Sequence, residues 1–206
     1  MRLGILDLKI IENVHRLNEV SQHEFAREIG VAQPTVFYHI RKLRESGILI
    51  GERGNFSVNR KRLEEIFEDM FGDGIAVTCL LLKLLLAKAE EEVTIRDLEK
   101  RVRTGSEVDK MFAKEHLEDS RKNLRDIADA MRLLLDVIDT YDEDTAGMLY
   151  RRLFELEARG LIALTERERV FATMMKIAGF APFVKDERRL KAFREKVRKA
   201  LRVLSR

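Results

Sequence analysis

Cysteine occurs once in this chain of 206 residues, proline twice and tryptophan not at all. Each scarcity removes a class of architecture. The single thiol, Cys79, excludes a disulfide framework and suits a reducing compartment. It also leaves no pair of thiolates for a metal. The four histidines (His15, His23, His39 and His116) show no ligand-like spacing, so no metal site is expected. Pro34 and Pro182 are the only obligatory helix breaks. Long apolar runs are missing too. The stretches 79–82 and 84–87 are separated by Lys83 and are far too short to span a bilayer. The first residues lack the uninterrupted apolar core and small-residue cleavage site of a signal peptide, so a cytoplasmic protein without a membrane partner is expected. There is no glycine-rich phosphate loop, no Gly-x-Ser-x-Gly and no His-Glu-x-x-His. The acidic runs 90–92 and 142–144 read as solvated helix ends or turns. Neither an enzyme nor a protein with a cofactor is expected.

Charge and apolar surface are abundant. Hydrophobic residues make up 45% and charged residues 36% of the chain, enough for real cores under surfaces dense in ion pairs. Such charge density, with glutamine only at positions 22 and 33, resembles proteins of hot-environment organisms. The net charge of +3 is unevenly spread. Residues 1–72 hold 11 Lys+Arg and 11 Asp+Glu, whereas residues 185–206 hold 10 and 3. The basic excess is therefore in the C-terminal tail.

The most informative stretch is 33–47, QPTVFYHIRKLRESG. Pro34 suits the first turn of a helix, Val36, Ile40 and Leu43 form one apolar stripe, and Gly47 is placed to end the helix in a left-handed cap. Gln33, Thr35, Phe37, Tyr38, Arg41 and Arg44 then face outward, the kind of surface that lies in a DNA major groove. Alone, this reads by default as an ordinary amphipathic helix with a solvated polar face. Its neighbours decide otherwise. Ser21 and Glu24 read as a capping box opening a short helix to Ile29, and 30–32 is a tight turn. Downstream, 48–50 and 56–58 are short strand-like runs around a turn-rich tip. An earlier helix has its stripe at Leu6, Ile10, Val14 and Leu17, and Asn59 can cap a later one from Arg60 to about Phe71.

This order, read on AQPTVFYHIRKLRESGIL, resembles the arsenic-repressor (ArsR-type) family of winged helix-turn-helix regulators over about the first third of the chain. The chain departs from the metal-sensing members of that family, which carry paired cysteines. The resemblance implies double-stranded DNA as partner. Gln33 and Thr35 would meet base edges or phosphates, Phe37 a thymine methyl, and Tyr38 a base or phosphate through its hydroxyl. Arg41 and Lys42 would pair with phosphates, and Arg53 with Asn55 at the wing tip would touch the minor groove. His39 is expected beneath the helix or on a backbone carbonyl.

The remainder reads as helical. Residues 72–74, Gly-Asp-Gly, mark the clearest break, dividing a winged domain (1–72) from a helical dimerisation or partner domain (73–184) and a basic amphipathic helix (185–206). Residues 75–89 are apolar on nearly all sides, predicting a helix central to a second core, and Thr94 reads as the cap of a further helix to Arg103. Leu117, Leu124, Met131 and Ile138 recur every seven residues with Ile127 and Leu134 between them. That heptad row suits a two-chain coiled coil or packing within the chain. Leu149, Leu153, Leu156 and Gly160 echo Val36, Ile40, Leu43 and Gly47 at an offset of 113 residues. A second, interrupted winged helix over 75–171, with a wing at 163–171, would explain the echo. That pattern faintly resembles the winged-helix domain of archaeal replication initiators (Orc-type).

The fold expected is therefore mainly α, with an N-terminal winged helix and a small β-hairpin. The function expected is a sequence-specific transcriptional regulator acting as a homodimer. Two alternatives stand beside it: a replication or chromosome-architecture factor with tandem winged helices, and a protein-interaction adaptor.

Overall fold

The computed structural model describes residues 3–17, 22–52, 55–72, 74–139, 143–178, 191 and 195. The N-terminal elements follow the sequence periodicities. They are α1 (Ile5–Leu17), α2 (Gln22–Ile29), α3 (Gln33–Glu45), β1 (Leu49–Glu52), β2 (Asn55–Val58) and α4 (Arg60–Phe71). Leu8, Ile10, Ile11 and Val14 of α1 pack with Phe25 of α2 and with Val36, Ile40 and Leu43 of α3, all buried. Gly30 and Gly47 adopt left-handed φ values of 67° and 75°. This allows the Val31 and Ile48 N–H groups to donate back to the Ala26 and Leu43 carbonyls, each at 3.0 Å. Two helices are thereby stopped without leaving their last carbonyls unpaired. The strands pair antiparallel in the register Leu49↔Val58 to Glu52↔Asn55. Gly51 sits at φ 114°, and a Cβ there would lie 2.1 Å from the Asn55 carbonyl oxygen, so only glycine fits. The Asn59 side chain accepts the Arg62 N–H at 3.2 Å and opens α4 as its sequence position predicts. The capping box at Ser21 and Glu24 lies outside the described residues and side chains.

Beyond Gly74 come α5 (Ile75–Thr104), α6 (Glu107–Asp139), α7 (Glu143–Ala158) and α8 (Glu166–Ala178). Two sequence readings are corrected here. No helix starts at Thr94: its hydroxyl donates to the Glu90 carbonyl at 3.0 Å inside an unbroken α5, because nothing from 89 to 94 interrupts the helix. The helix that carries the heptad row spans Glu107–Asp139, with Ser106 and Asp109 capping it reciprocally. No second wing forms at 163–171. Thr165 and Glu168 instead make a capping box, with N–H···O distances of 2.7 and 3.3 Å, and 166–171 is helical. The 113-residue echo is a shared helix ending. At Gly160 (φ 72°), the Leu161 N–H donates to the Leu156 carbonyl at 3.0 Å, as Ile48 does to Leu43.

α5 and α6 pack antiparallel as a long hairpin, closed at Gly105, where a Cβ would come within 2.7 Å of the Arg101 carbonyl. The C-terminal part of the heptad row of α6 is buried within the chain. Ile127, Leu134 and Ile138 are buried and Leu117, Leu124 and Met131 half-buried within the chain itself. For its buried residues the row follows the intrachain alternative of the two sequence readings. Polar pairs continue the seam outward, Asn123 on Glu91 at 3.0 Å and Arg121 on Glu99 at 2.9 Å.

The break at 72–74 does not divide the hydrophobic core. One cluster of buried residues runs from Leu3 to Ile177. The join is made by α8, which packs on α1, α4, α5 and α7. Phe171 stacks on Phe67 (centroids 5.8 Å apart) and meets Phe71 edge-on (5.3 Å). Each of these rings is fully buried, a contribution of about 1.5–3 kcal/mol apiece. Lys176 of α8 bonds Glu12 of α1, and Lys83 of α5 reaches the Ala163 carbonyl and Glu168, both at 2.6 Å. Among the described residues no single helix is long and apolar enough to cross a membrane.

Candidate nucleic-acid interface

The recognition candidate α3 has two faces of opposite character. Val36, Ile40 and Leu43 are at most 3% exposed and seat the helix on the core. On the other side Gln33, Thr35, Phe37, Tyr38, Arg41 and Arg44 are exposed. Phe37 and Tyr38, at 53% and 62%, are unusually open for aromatic residues, which favours a partner over a solvated face. The helix presents Gln33 and Thr35 at its N-terminal turn, where recognition helices meet base edges.

The orientation of α3 is fixed from beneath by a residue the sequence did not flag. Asp7 of α1 is 1% exposed, and it accepts the Gly4 N–H at 2.9 Å. Its two oxygens also meet His39 Nδ1 and Lys42 Nζ, each at 2.7 Å. Burial alone would push this carboxyl up. The Gly4 N–H, the His39 and Lys42 hydrogen bonds and the Lys42 charge outweigh it and hold Asp7 below the ordinary aspartate value. The contacts span 32 and 35 residues, so the rotation of α3 about its axis is tied to α1. His39 thus bonds a side-chain carboxylate where a backbone carbonyl was the alternative expected. Lys42, assigned from sequence to a phosphate, points its ammonium into this cluster. In sequence, Asp7 looks like an ordinary first-turn acid three residues after Gly4, and nothing local shows its reach.

The remaining positions divide. Arg41 is exposed and paired loosely with Glu45 at 2.9 Å, an exchangeable contact worth little in water. The Arg44 guanidinium lies 5.9 Å from the Phe56 ring centroid and links α3 to β2. Asn55 is exposed at the start of β2, and Arg53 lies outside the described residues. Arg60 and Lys61 at the start of α4, which follows the wing directly in sequence, are exposed as well.

Helix, turn, helix and antiparallel hairpin are thus in place, with the second helix presenting its polar face outward. Residues 3–50 match a family model described as winged helix-turn-helix DNA-binding. The match covers α1 to α3 and reaches the start of β1. This N-terminal winged helix-turn-helix unit implies DNA as a partner. No curated protein and no solved structure matches the chain. Among the described residues no group of three or more His, Cys, Asp or Glu is placed to hold a metal ion.

Proposed function

We propose that the protein is a transcriptional regulator that binds duplex DNA through α3 and the β1–β2 wing, working as two copies. The observation that carries this is the outward face of α3, exposed from Gln33 to Arg44 and held in fixed rotation by the buried Asp7 beneath it. A helix that reads base edges must hold its side chains in register with the groove, and a core-anchored ion cluster does that. Gln33, Thr35 and Tyr38 read bases, Phe37 covers an apolar base edge, and Arg41 and the wing around Asn55 hold the backbone. The likeness of this helix to arsenic-repressor-type regulators supports the regulatory reading, and the single cysteine argues against sensing by thiolates. One recognition helix spans only a few base pairs, which is the reason for the second copy.

Fluorescence anisotropy on a duplex across a salt series tests the proposal. Binding should weaken as salt rises, and Arg41→Ala should flatten that dependence by about one unit of log–log slope. Absence of salt-sensitive binding would instead favour a winged helix used for protein contact.

A further inference from the structure

α5 is apolar on two opposite faces, and among the described residues only one of them is buried. Its inner face, Ala76, Val77, Leu80, Leu81, Leu84 and Ala87, is buried against the rest of the chain. On the outer face Ile75, Leu82, Leu86 and Val93 are 51%, 45%, 65% and 59% exposed. Ala89 between them is exposed and Cys79 half-buried. The helix expected from sequence to lie at the centre of a core therefore keeps one apolar face in solvent. Positions 75, 79, 82, 86, 89 and 93 recur at alternating intervals of four and three, a heptad seam with no charged residue in it. In a chain that is 36% charged, an unbroken uncharged row on the surface calls for a partner.

We infer that this face pairs with the same face of a second copy, antiparallel, across a two-fold axis near Lys83–Leu84. The row itself selects this occupant, because it is symmetric about position 84. Turned end for end, Ile75 meets Val93 of the other copy, Cys79 meets Ala89, and Leu82 meets Leu86. Every large side chain finds an apolar partner, and the two small ones share a layer, permitting close approach. Such an interface is self-complementary, as two-fold pairing requires. Lys83 lies near its own copy in either direction with its ammonium held by Glu168 and the Ala163 carbonyl, so Glu90 is the charge that distinguishes the two. Side-by-side parallel pairing would set the exposed Glu90 against its own copy. In the antiparallel arrangement the two Glu90 residues sit about 18 Å apart (six residues either side of the axis at ~1.5 Å rise), beyond the ~8 Å screening length at physiological salt. This assigns the dimer seam to α5 in place of the α6 row, whose C-terminal part is buried within the chain.

The inference deepens the two-copy reading above and rests on it, but its test needs no DNA, so failure of DNA binding would leave it standing and is read separately. Light scattering on the eluting full-length protein at micromolar concentration should give twice the 24.0 kDa chain mass. Leu82→Glu and Leu86→Glu alter exposed side chains and should give the single-chain mass with unchanged helical circular dichroism. Val108→Glu, exposed but off the seam, should stay dimeric. Ala89→Cys should form a disulfide-linked dimer on mild oxidation through Cys79 of the other copy, and adding Cys79→Ser should abolish it. The two positions are ten residues apart on one straight helix, about 15 Å, too far for a bond within one chain. A monomeric wild type would overturn the inference. So would a dimer indifferent to both glutamates, or an Ala89→Cys cross-link that survives loss of Cys79. A monomer whose residues 179–206 become protease-sensitive in Leu86→Glu would assign the face to the chain's own tail, also against the inference.

Discussion

Replacing Asp7 by asparagine probes the link between fold and site most sharply. The side chain is 1% exposed and accepts from Gly4, His39 and Lys42 at 2.7–2.9 Å. Asparagine keeps the volume and one acceptor oxygen but loses the charge, and its amide nitrogen must face a donor. Breaking a buried ion pair costs about 3–5 kcal/mol when the surviving charge is trapped. Here Lys42 is 31% exposed and can swing its ammonium to water, which lowers the expected cost to about 2 kcal/mol. The pH dependence carries a second signature. Because the folded carboxyl titrates below its ordinary value of 3.8, its stabilisation is fully present above that value and is lost as pH falls through the depressed one. Urea unfolding at pH 7 and at descending pH should therefore show Asp7→Asn less stable at neutrality, with the difference narrowing in acid. Because Asp7 sets the rotation of α3, the variant should also bind DNA more weakly under conditions where it remains folded. A variant within 0.5 kcal/mol of wild type at pH 7, with a parallel acid limb, would refute the role given to Asp7.

Further outcomes follow from the same geometry. Tyr38→Ala, at an exposed ring, should leave the unfolding midpoint unchanged while weakening specific DNA binding by about 1–3 kcal/mol in anisotropy titrations. Gly51→Ala places a Cβ against the Asn55 carbonyl and should cost about 1–3 kcal/mol through backbone strain, read by denaturation and by lost wing amide protection. Phe171→Ala should cost about 3–5 kcal/mol, and hydrogen exchange should rise in α4 as well as α8 because Phe67 and Phe71 share the cavity. Leu134→Ala should cost about 2–5 kcal/mol in the isolated chain, whereas Leu86→Ala should be nearly neutral when unfolding is followed at dilutions where single chains predominate.

The winged helix was legible because its signals are local. Pro34, Gly30, Gly47 and Asn59 set helix ends through their own backbone or side-chain chemistry, and Val36, Ile40 and Leu43 name a buried face by spacing alone. What stayed hidden depends on partners distant in sequence. The heptad row from Leu117 states that a stripe needs covering without saying whose residues cover it, and its C-terminal part is buried within the same chain. Thr94 and Thr165 carry the same capping potential. Thr165 caps α8 because a turn after Gly160 precedes it, and Thr94 back-bonds within α5 because no break precedes it. Asp7 was missed for the same reason: its three partners are one local N–H and two side chains more than 30 residues away.

The central claim is that α3 and its wing read duplex DNA. Incubating the purified protein with a randomised duplex pool at near-physiological salt, then sequencing the retained fraction, tests it most directly. The account predicts a two-fold symmetric motif that is lost with Tyr38→Ala. A pool retained without any motif, or not retained at all, would contradict sequence-specific reading by this helix.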